Sequence, residues 1–121
     1  MSKGDFKKNR KRKFIAYEKD KEQVFRKELI KFPILDASMI IDKIKYLSLK
    51  TTITKPRYTN FDNNPDFGRV RIKNYRIFVH RLDSKNWLML HVFQKKTNKT
   101  PPKNVDIAYN RLIDYLNQNS K

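Results

Sequence analysis

Three consecutive stretches most constrain the fold of this chain. Gly68 to Lys73, Tyr75 to Leu82 and Trp87 to Lys95 each carry apolar residues at alternate positions, and only Lys73-Asn74 and Asp83-Ser84-Lys85-Asn86 separate them. Side chains alternate between the two faces of a strand, and connections this short join only antiparallel neighbours. The pattern predicts an antiparallel meander. Val70, Ile72, Ile77, Val79, Leu88, Leu90 and Val92 then share the core face. Arg69, Arg71, Lys73, Arg76, Phe78, His80, Met89, His91, Phe93 and Lys95 share the other face. That second face is cationic, with aromatic members and two imidazoles. A bulge would break this parity, and a C-terminal helix lying there would turn the Phe and Met residues into a second small core.

The flanking segments add helices. Phe14 to Tyr17 is a short strand candidate. Asp20 to Phe32 has Phe25, Leu29 and Phe32 at helical spacing and stops at Pro33. A second helix starts near Asp36, which can cap it, and presents Ala37, Ile40, Ile41, Ile44 and Leu47. Thr51 to Phe67 loses periodicity and is expected to be loop. Thr100 can cap a helix opening at Pro101, with Val105, Ala108, Leu112 and Tyr115 or Leu116 on one side. The order strand, helix, helix, three strands, helix indicates an α+β fold with helices over one sheet face. Its 121 residues fit a single domain over 14–121, preceded by a basic arm over 1–13 with seven Lys or Arg. That arm is either a phosphate-binding extension or a frayed terminus.

Charge narrows the function. Lys and Arg number 29 against 12 Asp and Glu, giving a net charge of +17. Such self-repulsion calls for an acidic partner, nucleic acid first and an acidic protein second. The absence of cysteine excludes disulfides, thiolate metal sites and cysteine nucleophiles. Two histidines without a matched acidic cluster argue against a metal site, and two glycines cannot build a phosphate-binding loop. Neither a serine triad nor a cofactor is indicated. No apolar run approaches the ~20 residues of a membrane helix, and the basic start from Met1 to Lys13 lacks an apolar export segment, so a cytoplasmic location away from membranes is expected. RNA brings its own nucleophile, the 2′-hydroxyl. Cutting it needs orientation, a proton acceptor and charge stabilisation. Arg and Lys can supply the last, and His can move protons near neutral pH. On the cationic face the arginines suit phosphate, and Phe78 and Phe93 suit stacking on bases.

Phe93-Gln94-Lys95-Lys96-Thr97-Asn98-Lys99-Thr100-Pro101, followed by Val105-Asp106-Ile107-Ala108-Tyr109-Asn110-Arg111, resembles the phage Gp49-like branch of the HigB/RelE toxins. His91 ahead of Phe93, and Arg71 followed by Tyr75-Arg76, resemble the same branch. The resemblance implies a RelE-like fold: a small twisted antiparallel sheet with two N-terminal helices and one C-terminal helix. It implies the toxin of a type II toxin-antitoxin system, an mRNA interferase that cuts mRNA, in many members within the ribosomal A site, by metal-independent 2′-hydroxyl attack. The implied partners are mRNA, the ribosome and a cognate HigA-like helix-turn-helix antitoxin, with operator DNA reached only through that antitoxin. Carried onto this chain, the catalytic set is Arg71, Arg76, His91 and Lys95 or Lys96. Arg69, Lys73, Phe78, His80, Phe93 and Lys99 are the RNA-binding candidates. The chain departs from the pattern at Arg69-Val70, where many members have Glu-Leu. No C-terminal tail Tyr or His can be assigned, which leaves His80, His91 or a substrate-assisted route for the general base. The alternative is a non-catalytic RNA-binding protein of the same fold.

Overall fold

The computed structural model describes residues 10–54, 57–61, 64–96 and 101–119. Its strands are β1 (Lys13–Ala16), β2 (Glu18–Lys19), β3 (Glu22–Gln23), β4 (Tyr58–Phe61), β5 (Asn64–Ile72), β6 (Tyr75–Arg81) and β7 (Asn86–Gln94). Its helices are α1 (Val24–Leu29), α2 (Ile34–Leu49) and α3 (Pro102–Asn119). Five strands form one sheet in the order β1-β7-β6-β5-β4, and β2 and β3 form a separate hairpin. The α+β class and the β5-β6-β7 meander are as expected.

The sheet is mixed, not antiparallel. β1 lies parallel to β7, from Lys13 opposite Asn86 to Ala16 opposite Met89. The supposed loop before Gly68 also contributes strand: β4 pairs with β5, and β5 itself starts at Asn64. Its Tyr-Thr-Asn-Phe sequence contains good strand formers, but four residues are too few to show a period. Before α1, the chain makes a hairpin where a longer helix was expected. Asp20 and Lys21 both take left-handed φ values of 53° and 68°, which end any helix there. α2 opens one turn early, after Pro33, and Asp36 does not cap it. Asp36 instead accepts a hydrogen bond of 2.7 Å from the Tyr75 hydroxyl, tying α2 to β6.

Helices cover both faces of the sheet, not one as expected, and β7 changes parity midway. Phe78 pairs with His91, but Val79 pairs with Met89, so Leu90 is an extra residue in the strand. This bulge reassigns the predicted faces. Trp87, Met89 and Val92 join Val70, Ile72, Ile77 and Val79 in a core with Phe25 and Leu29 of α1 and Ile40 and Leu47 of α2. Leu88 and Leu90 move to the other side, where they join Phe67, Phe78 and Phe93 beneath Ala108 and Leu112 of α3. Ile41, expected in the core, is exposed, and of Tyr115 and Leu116 it is Tyr115 that packs against the second core while Leu116 is exposed. Gly68 is required where β4 crosses β5: an added Cβ would sit 2.6 Å from the Thr59 carbonyl oxygen and from the Tyr58 ring.

Phe78 and Phe93 are therefore core residues and not base-stacking ones. Phe78 is fully buried, with its ring stacked 5.6 Å from those of Phe67 and Phe93. Phe78→Ala is expected to lower stability by about 3–5 kcal/mol in urea unfolding, through the cavity it leaves. A variant of native stability with weakened RNA binding would return Phe78 to a surface role.

Of the basic arm expected over 1–13, residues 1–9 lie outside the described residues. Lys13 belongs to β1, and Arg12 is buried. The Arg12 guanidinium donates to the Leu47 carbonyl at 2.5 Å and the Thr51 carbonyl at 3.0 Å, and lies 5.3 Å from the Trp87 ring centre. Among the described residues no helix is long and apolar enough to cross a membrane.

Candidate functional site

The tight Lys73-Asn74 turn sets the register of the β5-β6 hairpin and places Arg71 directly opposite Arg76. Arg69 lies two residues before Arg71 and hence on the same face. Thr59 of β4 pairs with Arg69. β7 runs alongside β6, and just past its end the Lys95 amide donates to the Asn74 carbonyl at 2.6 Å. Thr59, Arg69, Arg71, Arg76 and Lys95 thus line one cleft of about 160 Å³. No carboxylate is among these residues.

Arg76 Nη1 donates to the carbonyls of Lys73 at 2.7 Å and Tyr75 at 2.8 Å, which orients its guanidinium. Burial and then the neighbouring Arg71 and Arg69 push its pKa down. Lys95 is likewise lowered, first by burial and then by Arg69, Arg76 and Arg71. Like charges disfavour the charged form, so an anion entering the cleft relieves four repelling cations at once. A phosphodiester carries the charge and the oxygen geometry that arginine forks recognise.

The other sequence-derived candidates lie elsewhere. Lys96 is exposed and does not line the cleft, so of the Lys95–Lys96 pair the geometry selects Lys95. Lys73 sits in the turn with φ 52° and lines a separate cavity beside α2. Lys99 lies outside the described residues. His80 is at the far end of β6, opposite Phe67 and Leu88. Its buried Nδ1 has no partner among the described residues, and burial pulls its pKa down.

His91 does not face the cleft either. It is buried at the bulge, with Nδ1 2.5 Å from the Glu28 carboxylate and Nε2 2.8 Å from the Asn104 side-chain oxygen. Glu28 also accepts from the Val92 amide and from Arg111 Nη1, both at 3.1 Å, while Arg111 Nη1 donates to the Leu90 carbonyl at 2.9 Å. With both ring nitrogens occupied, His91 is a strut linking α1, β7 and α3. The bulge made this possible by turning Leu90 and His91 toward the same side. Sequence reasoning missed Glu28, whose partners lie more than sixty residues away, and Thr59, whose strand was too short to recognise. Among the described residues no group of three or more His, Asp or Glu side chains is placed to hold a metal ion.

A family model described as phage-derived protein Gp49-like (DUF891) matches residues 27–113. The chain belongs to the Gp49-like family. No curated protein matches it. The Gp49-like span runs from α1 into α3 and contains all five residues that line the cleft. It also contains Glu28, His91 and Arg111, so cleft and strut belong to one Gp49-like unit.

Proposed function

We propose that this Gp49-like protein is an endoribonuclease that cleaves mRNA, acting as the toxin of a type II toxin-antitoxin system. The convergence of Arg69, Arg71, Arg76 and Lys95 on one cleft supports this assignment, together with the sequence resemblance to HigB/RelE toxins. The RNA 2′-hydroxyl oxygen attacks the adjacent phosphorus, and the bond from phosphorus to the 5′-oxygen breaks. The products are a 2′,3′-cyclic phosphate and a 5′-hydroxyl. Arg71 and Arg76 hold the non-bridging oxygens and stabilise the negative charge that grows on them. Lys95, made more acidic by burial and then by its three arginine neighbours, donates a proton to the leaving 5′-oxygen. Thr59 contributes a neutral hydroxyl at the cleft wall. The 2′-hydroxyl proton passes to a non-bridging oxygen of the attacked phosphate, a substrate-assisted route, and from there to solvent. The proposed inhibitor is a cognate helix-turn-helix antitoxin, whose acidic side chains would neutralise the same cations; operator DNA is reached only through it.

The test incubates purified protein with naked RNA and, separately, with mRNA on programmed ribosomes, and maps the new ends. Cuts that leave 2′,3′-cyclic phosphates support the assignment, and the comparison of the two substrates shows whether the ribosome is required. RNA bound but left intact in both reactions overturns the nuclease in favour of a binding protein.

A further inference from the structure

A second cavity opens beside the cleft and shares one residue with it. Lys43, Tyr46 and Leu47 of α2, Arg57 before β4, and Arg71, Ile72 and Lys73 at the end of β5 enclose about 250 Å³. No carboxylate lines it among the described residues. Arg71 belongs to both lining sets. The reason is topological. β4 begins at Tyr58 opposite Val70, and beyond that pair, among the described residues, only the Arg57 carbonyl covers β5, accepting from the Arg71 amide at 2.7 Å. The end of β5 is therefore a sheet edge, and Arg71 stands on the rim between the α2 side and the cleft side.

Tyr46 organises the cations of this second cavity. Lys43 and Arg57 of the lining lie 5.6 and 5.4 Å from its ring centre, and Lys50, outside the lining, lies 5.4 Å from it. Hydrogen bonds from Lys50 and Arg57 hold the phenol below the usual tyrosine range. Gathering positive charge around one exposed ring in a chain of +17 costs electrostatic free energy that a polyanion recovers.

We infer that this cavity is a second phosphate seat, in which Lys43, Arg57 and Lys73 hold the backbone of an RNA strand passing over the Arg71 rim from the cleft. The inference rests on the proposed RNA substrate and adds a path: the strand wraps the sheet edge, with Arg71 bridging consecutive parts of its backbone. Lys43 and Arg57 are then binding residues outside the reacting centre.

The experiment uses the full chain and two non-cleavable probes, a single-stranded 2′-O-methyl oligoribonucleotide and a 2′-O-methyl dinucleoside monophosphate able to fill only the cleft. The double variant Lys43→Gln/Arg57→Gln changes exposed side chains, and an unchanged urea midpoint checks its fold. The oligomer is expected to bind about tenfold more weakly at low salt, with the slope of log affinity against log salt shallower by ~1.4, as for two lost contacts to a single strand. Dinucleotide binding is expected to stay the same, and Lys43→Arg alone to retain oligomer affinity. Unchanged oligomer affinity and slope overturn the second seat, as does equal weakening of both probes. Failure of the nuclease assignment is distinguishable: wild-type protein would leave unmodified RNA intact while the double variant still showed the oligomer-specific loss.

Discussion

Replacing Arg76 with alanine is expected to slow RNA cleavage by about 10²–10³-fold, the typical cost of deleting one preorganised donor from a charge-stabilising site, with little change in the urea midpoint. The guanidinium is aimed before substrate arrives, because the carbonyls of Lys73 and Tyr75 hold it. No reorganisation is then needed as charge develops on the phosphate. Arg76→Lys should recover little, since an ammonium lacks the planar fork that contacts carbonyls and phosphate together. Lys95 provides a pH signature. Its pKa is lowered, and in the proposed role of general acid it works only while protonated. The alkaline limb of the rate profile should therefore begin below the ordinary lysine value of ~10.4 and disappear in Lys95→Ala. Single-turnover cleavage across pH measures both effects. An Arg76→Ala enzyme cutting at the wild-type rate, or an unaltered alkaline limb in Lys95→Ala, would remove these residues from the chemistry.

Glu28→Ala is expected to cost about 3–5 kcal/mol of stability, the usual penalty for removing one partner from a buried charged network. The substitution strands the His91 ring, the Val92 amide and Arg111, all of which now converge on one carboxylate. Burial by itself would raise the Glu28 pKa. Its hydrogen bond and charge interaction with His91, the Val92 amide and then Arg111 outweigh burial and hold it below the usual value. A depressed carboxyl stabilises the fold above the unfolded-state value of ~4.3, and this contribution is lost as pH falls through the lower folded-state value. Urea midpoints measured from neutral to acid pH should fall more steeply for wild type than for Glu28→Gln, which cannot titrate. Parallel acid limbs, or a Glu28→Ala midpoint equal to wild type, would show that the strut does not carry this load.

Local period determined much of this molecule in advance. The alternation from Arg69 to Leu82 around a two-residue turn dictates the β5-β6 hairpin, because a short turn sets the register. Once the hairpin forms, Arg71 must oppose Arg76 with Arg69 beside them, so half of the cleft was legible in a linear stretch. The sequence left Lys95 and Lys96 open at the end of β7, and only the folded cleft selects Lys95. The excess of Lys and Arg over Asp and Glu likewise set the expectation of an acidic partner, on which the proposed RNA substrate rests.

Only the tertiary structure decided the rest. Whether Leu88 or Met89 faces α3 depends on one extra residue at Leu90, and with that bulge β7 packs against α1 on one side and α3 on the other. The same packing buried Phe78 and Phe93, withdrew His91 from the cleft and joined it to Glu28, a residue from a different part of the chain. Turn geometry acts over a few neighbouring residues, and sequence reports it directly. Face assignment, sheet edges and buried polar partners are settled by which distant surfaces exclude water together, and that becomes visible only when the chain is folded.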